Sequence, residues 1–241
     1  MKFGLLGCAF ALTLGLAGPA SADIKIGASV SETGPASSLG DPEAKTLKLL
    51  VDEINAAGGV LGQKIKLFLY DDGGDPNKAR TFATRLVEDD EVVAIVGGST
   101  TGTTMSIISV AENAKIPFIS LAGAIEIIDP VKPFVFKTPH TDRMACRKIF
   151  EDMKAKGYSK IALISGSDGF GASMRKQCLQ VIGEFGITVL AEETYGPNDA
   201  DMTPQLTNIR SKGEVQAILN PGFGQRSEER RVGKECSSRW S

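Results

Sequence analysis

The chain has 241 residues, 42% of them hydrophobic and 23% charged, which supports a folded body of one large or two modest domains. A net charge of −2 argues against nucleic acid or an anionic membrane surface as the partner. The 4 cysteines contain no CxxC pair and the only histidine is His140, which argues against a disulfide scaffold and most zinc schemes.

Residues 1–22, MKFGLLGCAFALTLGLAGPASA, read as a secretory signal peptide. Lys2 precedes an apolar run from Phe3 to Leu16, and Ala20-Ser21-Ala22 supplies the cleavage site. Cys8 lies too early in the run for lipid attachment, and no second run is long enough to span a membrane. Cleavage leaves Cys146, Cys178 and Cys236. The first two fall in predicted helices, where burial as small apolar side chains is favoured over a bridge between them.

Strands and helices then alternate. DIKIGASV is a strand, and Asp41-Pro42-Glu43 opens a helix to about Ala57 with a cap, a proline at its first position and an acid in its first turn. KIKLFLYDD has a period of two, and Asp75-Pro76 repeats the cap and proline before a helix whose face carries Ala79, Phe82, Ala83, Leu86 and Val87. VVAIVG is a continuously apolar strand, followed by a helix over Thr103 to Ala114 and the strands PFISLA and FVFKT. Beyond TPHTD come a helix from Arg143 to Lys156, the strand IALISG, a helix from Gly171 to Phe185, the strand ITVLAEETY, a helix over Met202 to Ser211 and the strand VQAILN. This repetition predicts an α/β protein of two lobes, 23–140 and 141–224, each a parallel sheet flanked by helices. From Gln225, QRSEERRVGKECSSRWS fits neither pattern and is read as foreign to the fold, because the second lobe stops after three strands.

The chemistry of GGSTTGTTMS, Gly97 to Ser106, narrows by elimination. It lacks the lysine of a phosphate loop and does not match a G-x-S-x-G nucleophile elbow. Asp71, Asp72 and Asp75 read as turn and cap residues rather than a cation site. No catalytic, metal or cofactor residue is therefore assigned. In an open parallel sheet ligands bind beyond the carboxyl ends of the strands, where Gly97 to Thr101 and Ser120 to Ala124 combine small residues with exposed amides. A helix N-terminus there favours a carboxylate or another anion, with Ser99, Thr100 and Thr101 adding hydrogen bonds. Thr101 or Thr104 is also expected to cap the following helix.

The motifs IKIGASVSETGPASSLG, VDEINAAGGVLGQKIKLFLYDDGGDPNKA, AIVGG, PFISLAGA, VFKTPHTD and IALISGSDGFGASM resemble the periplasmic substrate-binding proteins of ABC importers. The resemblance is to the branched-chain amino acid receptor family, and covers Asp23 to about Gly224. It implies the type I periplasmic fold, two Rossmann-like lobes that close on a solute and deliver it to an inner-membrane permease, with no stable homo-oligomer required. Full members are longer and return to the first lobe, so both lobes are expected to be incomplete here, with poor solubility and weak closure. By resemblance the ligand carboxylate meets Thr101 beside Ser99 and Thr100, and the next contact loop is Ala122, Gly123 and Ala124. Leu39, Phe170 and Phe223 take positions often aromatic in the family, while Gly74 and Thr100 replace a cysteine pair of some members. Ala124 in place of a threonine implies a less polar pocket, so a small organic anion with an apolar or aromatic body is expected ahead of an aliphatic amino acid. Burial of such a body contributes several kcal/mol at about 25 cal/mol per Å². A sensory module of the same fold, and more remotely a secreted hydrolase pairing His140 with Ser99 or Ser165, are the alternatives.

Overall fold

The strand–helix repetition folds into two parallel sheets. The computed structural model describes residues 22–197, 199 and 201–222, so residues 1–21 of the predicted signal peptide, Phe223 and the segment 225–241 lie outside the described residues. β1 (Ile24–Val30), β2 (Ile65–Asp71), β3 (Ala94–Gly97), β4 (Phe118–Ser120) and β5 (Val135–Lys137) form the first sheet, in the order β2-β1-β3-β4-β5. β6 (Lys160–Gly166), β7 (Thr188–Tyr195) and β8 (Ala217–Leu219) form the second, in the order β7-β6-β8. All neighbouring strands are parallel, so the loops leaving their carboxyl ends gather at one edge of each sheet.

The helices are α1 (Ser37–Ala56), α2 (Pro76–Glu88), α3 (Thr101–Ala114), α4 (Asp142–Ala155), α5 (Gly169–Val181) and α6 (Thr203–Ser211). The predicted apolar face of α2 packs with α3 over β3 and β4, burying Ala79, Ala83, Leu86, Ile95, Ile107 and Phe118. Gly27 lets α2 lie close, since a Cβ there would stand 2.8 Å from Leu86 Cδ2. Asp75 caps α2 as expected, its carboxylate accepting from the amides of Asn77 at 2.7 Å and Lys78 at 3.3 Å.

Two expectations are corrected. α1 starts at Ser37 rather than at Asp41, and Pro42 lies inside it. The extra turn is a tertiary product. Gly40 presses on the backbone of Ser31 at the end of β1, where a Cβ would be 2.1 Å from the Ser31 carbonyl oxygen. In the second lobe, Cys146 of α4 and Cys178 of α5 are buried as expected but joined in a disulfide, with Cα atoms 5.0 Å apart. The two helices pack side by side over β6, which brings cysteines 32 residues apart within bridging range. That proximity is invisible in one dimension.

The opposite face of the first sheet is less covered. Leu49, Leu50 and Ile54 on α1 are 58%, 47% and 36% exposed, and Phe136 on the edge strand β5 is 53% exposed.

Candidate functional site

The turn from β3 to α3 is built largely from its own hydroxyls. Thr100 is the N-cap of α3: its Oγ1 accepts from the Thr103 amide at 3.2 Å, and Thr103 Oγ1 accepts from the Thr100 amide at 3.1 Å. The cap is thus Thr100 rather than Thr101 or Thr104. Thr104 instead donates to the Gly98 carbonyl at 2.8 Å and shares a 2.8 Å hydrogen bond with Ser120 at the end of β4. Ser99 accepts from the Ser31 amide at 2.9 Å and donates to Glu43 of α1 at 2.5 Å. Burial raises the Glu43 carboxyl above its ordinary value, opposed by the Ser99 hydroxyl and reinforced by the charge of Asp72.

Thr101 differs from its neighbours. Its side chain is 5% exposed, and its Oγ1 is buried without a hydrogen-bond partner. A buried polar group left so is costly. A cavity of about 340 Å³ beside Thr101 lies between the first turns of α3 and α5 and is lined by Thr101, Gly102, Glu126, Gly169, Ala172 and Lys176. Glycines set the approach of the two helices: a Cβ on Gly169 would lie 3.1 Å from the Gly102 amide nitrogen and 3.6 Å from Thr101 Cγ2. Two helix N-termini, one from each lobe, therefore converge on this space.

The loop after β4 leads to Glu126 in the cavity wall. Ala122 and Ala124 are buried, and Lys137 of β5 donates to the carbonyls of Gly123 at 2.5 Å and His140 at 3.2 Å. Burial lowers the Lys137 ammonium below its usual value, partly offset by the charge of Asp142. Asp142, buried at the start of α4, accepts from the Ile125 amide at 3.1 Å, while its own amide donates to the Gly123 carbonyl at 3.0 Å. These bonds hold residues 123–125 rigidly. Next comes Glu126, in the short 3-10 turn Ile125–Ile127, which accepts from Ser173 at 2.8 Å, Lys176 at 2.9 Å and Gln177 at 3.2 Å, all on α5. Burial acts to raise the Glu126 carboxyl, but the hydrogen bonds from Lys176 and Ser173 outweigh it and the net shift is downward.

Among the expected site residues that are described, Thr101 is the one that lines the interlobe cavity. Ser99 and Thr100 support the same turn from inside the first lobe, their hydroxyls engaged by Glu43 and Thr103. Ala122, Gly123 and Ala124 form the loop that leads to Glu126. Phe170 packs against the core of the second lobe, one residue from Gly169 in the cavity wall. Leu39 is 40% exposed in the first turn of α1, and Phe223 lies outside the described residues. Sequence reasoning missed Glu126, Gly169 and Lys176. The spacing of Ser173, Lys176 and Gln177 on one helical face was available, but their common partner was not.

A second cavity of about 290 Å³ lies beneath α1, between Glu43, Leu47, Val96 and Leu121. Its carboxylate is already engaged by Ser99, so it offers less for a ligand than the interlobe space. Among the described residues no group of histidine, cysteine, aspartate and glutamate could hold a metal ion, and no helix is long and apolar enough to cross a membrane. The hydrolase arrangement is also missing there, since Ser99 donates to Glu43 and Ser165 Oγ is buried without a partner.

The similarities of the chain agree with this geometry. Residues 23–225 match the family model described as periplasmic binding protein. The Leu/Ile/Val-binding protein homolog 7 of Brucella melitensis is 33% identical over 233 residues, covering 92% of this chain and 58% of the relative. The substrate-binding protein LivJ of a branched-chain amino acid transporter from Streptococcus pneumoniae, solved with isoleucine, is 28% identical with a TM-score of 0.75, covering 83% of this chain and 57% of that one. A type 1 periplasmic binding protein from Bordetella pertussis is alike in fold, with a TM-score of 0.82 at 24% identity over 90% of this chain and 60% of its own. The chain thus spans about 58% of the length of the Brucella relative. The parallel sheets, the hydroxyl-bearing turn after β3 and these matches together make the chain a member of the periplasmic binding protein family, in the type I branch of the branched-chain amino acid receptors.

Proposed function

We propose that the chain acts in the periplasm as the solute receptor of an ABC importer, binding a small carboxylate between lobes 23–140 and 141–224 and passing it to an inner-membrane permease. It performs no bond chemistry itself. The observation that carries this reading is the convergence of the α3 and α5 N-termini on one cavity lined by Thr101, Gly102 and Gly169, with the Thr101 hydroxyl buried and unpartnered beside it. A carboxylate there would accept from Thr101 and from free amides of the first turn, with Ser99, Thr100 and the Ala122 to Ala124 loop holding that turn in place. Phe170, Leu39 and Phe223 are the proposed contributors of apolar surface.

Hydrophobic or aromatic organic acids are favoured, because the acidic side chain in the cavity wall, Glu126, is already engaged by Lys176, Ser173 and Gln177. An aliphatic amino acid is the second reading, supported by the relatives named for leucine, isoleucine and valine. Isothermal titration of the chain with L-leucine, L-isoleucine, benzoate and phenylacetate tests both. Micromolar binding of at least one probe is expected, and no heat from any of them would overturn the receptor reading.

A further inference from the structure

Glu126 and Lys176 stand opposite one another in the wall of the interlobe cavity, one from each lobe. Their ion pair is 2.9 Å long, and side-chain exposures of 29% and 58% place the carboxylate inward and the ammonium toward the mouth. Gln177 adds a donor to the same carboxylate, and the Ser173 hydroxyl lies between it and Asp142, sharing one proton with the two; both side chains are nearly buried. Gln177 is held in turn by Arg143, whose Nε donates to its Oε1 at 2.8 Å. The three side-chain donors around Glu126 all come from one face of α5. The downward shift of the Glu126 carboxyl follows from these bonds and keeps it ionised.

An ionised carboxylate in a small, largely apolar cavity would ordinarily recruit an organic ammonium group. Here the recruiter is already occupied. The geometry points to Glu126 and Lys176 as the charge-selectivity element of the cavity: Lys176 masks Glu126 and so favours carboxylates without an ammonium group over zwitterions. This rests on the receptor reading above and specifies its substrate class. Thr101 and the α3 N-terminus attract the negative end of either ligand alike, and the masked acid then decides what the rest of the ligand carries.

Matched probes that differ only in the ammonium group test this on the full chain: L-leucine against 4-methylpentanoate, and L-phenylalanine against 3-phenylpropanoate. The unsubstituted chain is expected to bind the member lacking the ammonium at least about tenfold more tightly in one pair. Lys176→Met uncovers Glu126 and is expected to move that ratio about tenfold toward the zwitterion. Adding Glu126→Gln to it should cancel the move, and Lys176→Arg should keep the original ratio. Circular dichroism checks folding, and Lys176→Gln replaces the methionine variant in the same titration if that one unfolds. An unchanged ratio with Lys176 removed, or a move that survives the loss of Glu126, overturns the assignment while leaving the receptor reading intact. Absence of binding by all four probes in the unsubstituted chain overturns both.

Discussion

The molecule builds the same turn twice, from β3 into α3 and from β6 into α5, but caps the two helices differently. α3 is capped by Thr100 and Thr103, which are neutral, whereas α5 is capped by Asp168, whose carboxylate accepts from the amides of Phe170 at 2.8 Å and Gly171 at 3.1 Å. The positive end of α5 thus carries its own anion, while that of α3 has only neutral caps. Thr101 follows the same logic, because it sits at the uncompensated helix with no internal partner. The lobes differ in how they are held as well. The first has five strands and a two-helix core, whereas the second has three described strands and a disulfide between its helices.

The largest expected effect concerns that bridge. Replacing Cys146 and Cys178 together with alanine should destabilise the second lobe by about 3 kcal/mol, because the bridge closes a loop whose entropy the unfolded chain then regains. Hydrogen exchange should quicken in α4 and α5 with α2 and α3 unchanged; equal quickening in both lobes would show that they unfold as one unit.

The two threonines of the α3 turn separate binding from stability. Thr101→Val should weaken carboxylate binding by roughly tenfold to a hundredfold, the worth of a hydrogen bond to a charged group, while the melting temperature rises because valine removes a buried unpaired hydroxyl. Thr100→Ala should do the reverse, costing about 1 kcal/mol of stability through the lost cap with a smaller effect on affinity. Calorimetry and thermal melts of both variants check the contrast, and equal behaviour would erase the distinction between the two hydroxyls.

The smallest effect is a pH dependence. Glu43 has a folded-state pKa above its unfolded value of 4.5, so the unfolded state gives up its proton first. Its contribution to stability is greatest below pH 4.5 and is lost as pH rises through the raised folded value. Glu43→Gln should remove that decline, so that its advantage over the unsubstituted chain is larger at about pH 7 than at about pH 4 in urea titrations. An advantage that grew on acidification would mean that Glu43 is held ionised by its neighbours.

Much of the fold was legible because it is written in local patterns. The period of KIKLFLYDD and the apolar run VVAIVG gave strands β2 and β3 within a few residues, and Asp75-Pro76 marked the start of α2. The start of α1 was not legible, because its first turn depends on Gly40 meeting Ser31 across the chain. The turn after β3 could be placed at the correct edge of a sheet, but its three adjacent hydroxyls looked equivalent. Only their surroundings divide them: Ser99 to Glu43, Thr100 to the helix cap, Thr101 to the cavity.

What the sequence alone determined is the succession of strands and helices, the caps that a short side chain makes with nearby amides, and the edge of the sheet from which the hydroxyl-rich turn leaves. These rest on contacts within a few residues of one another, so periodicity and residue type suffice. The tertiary structure alone decided the Cys146–Cys178 bridge, the orphaned Thr101 hydroxyl and the meeting of Glu126 with Lys176. Each of these depends on how elements pack: two helices side by side for the bridge, and α5 against the first lobe for the cavity and its ion pair. A linear pattern carries no record of such distances.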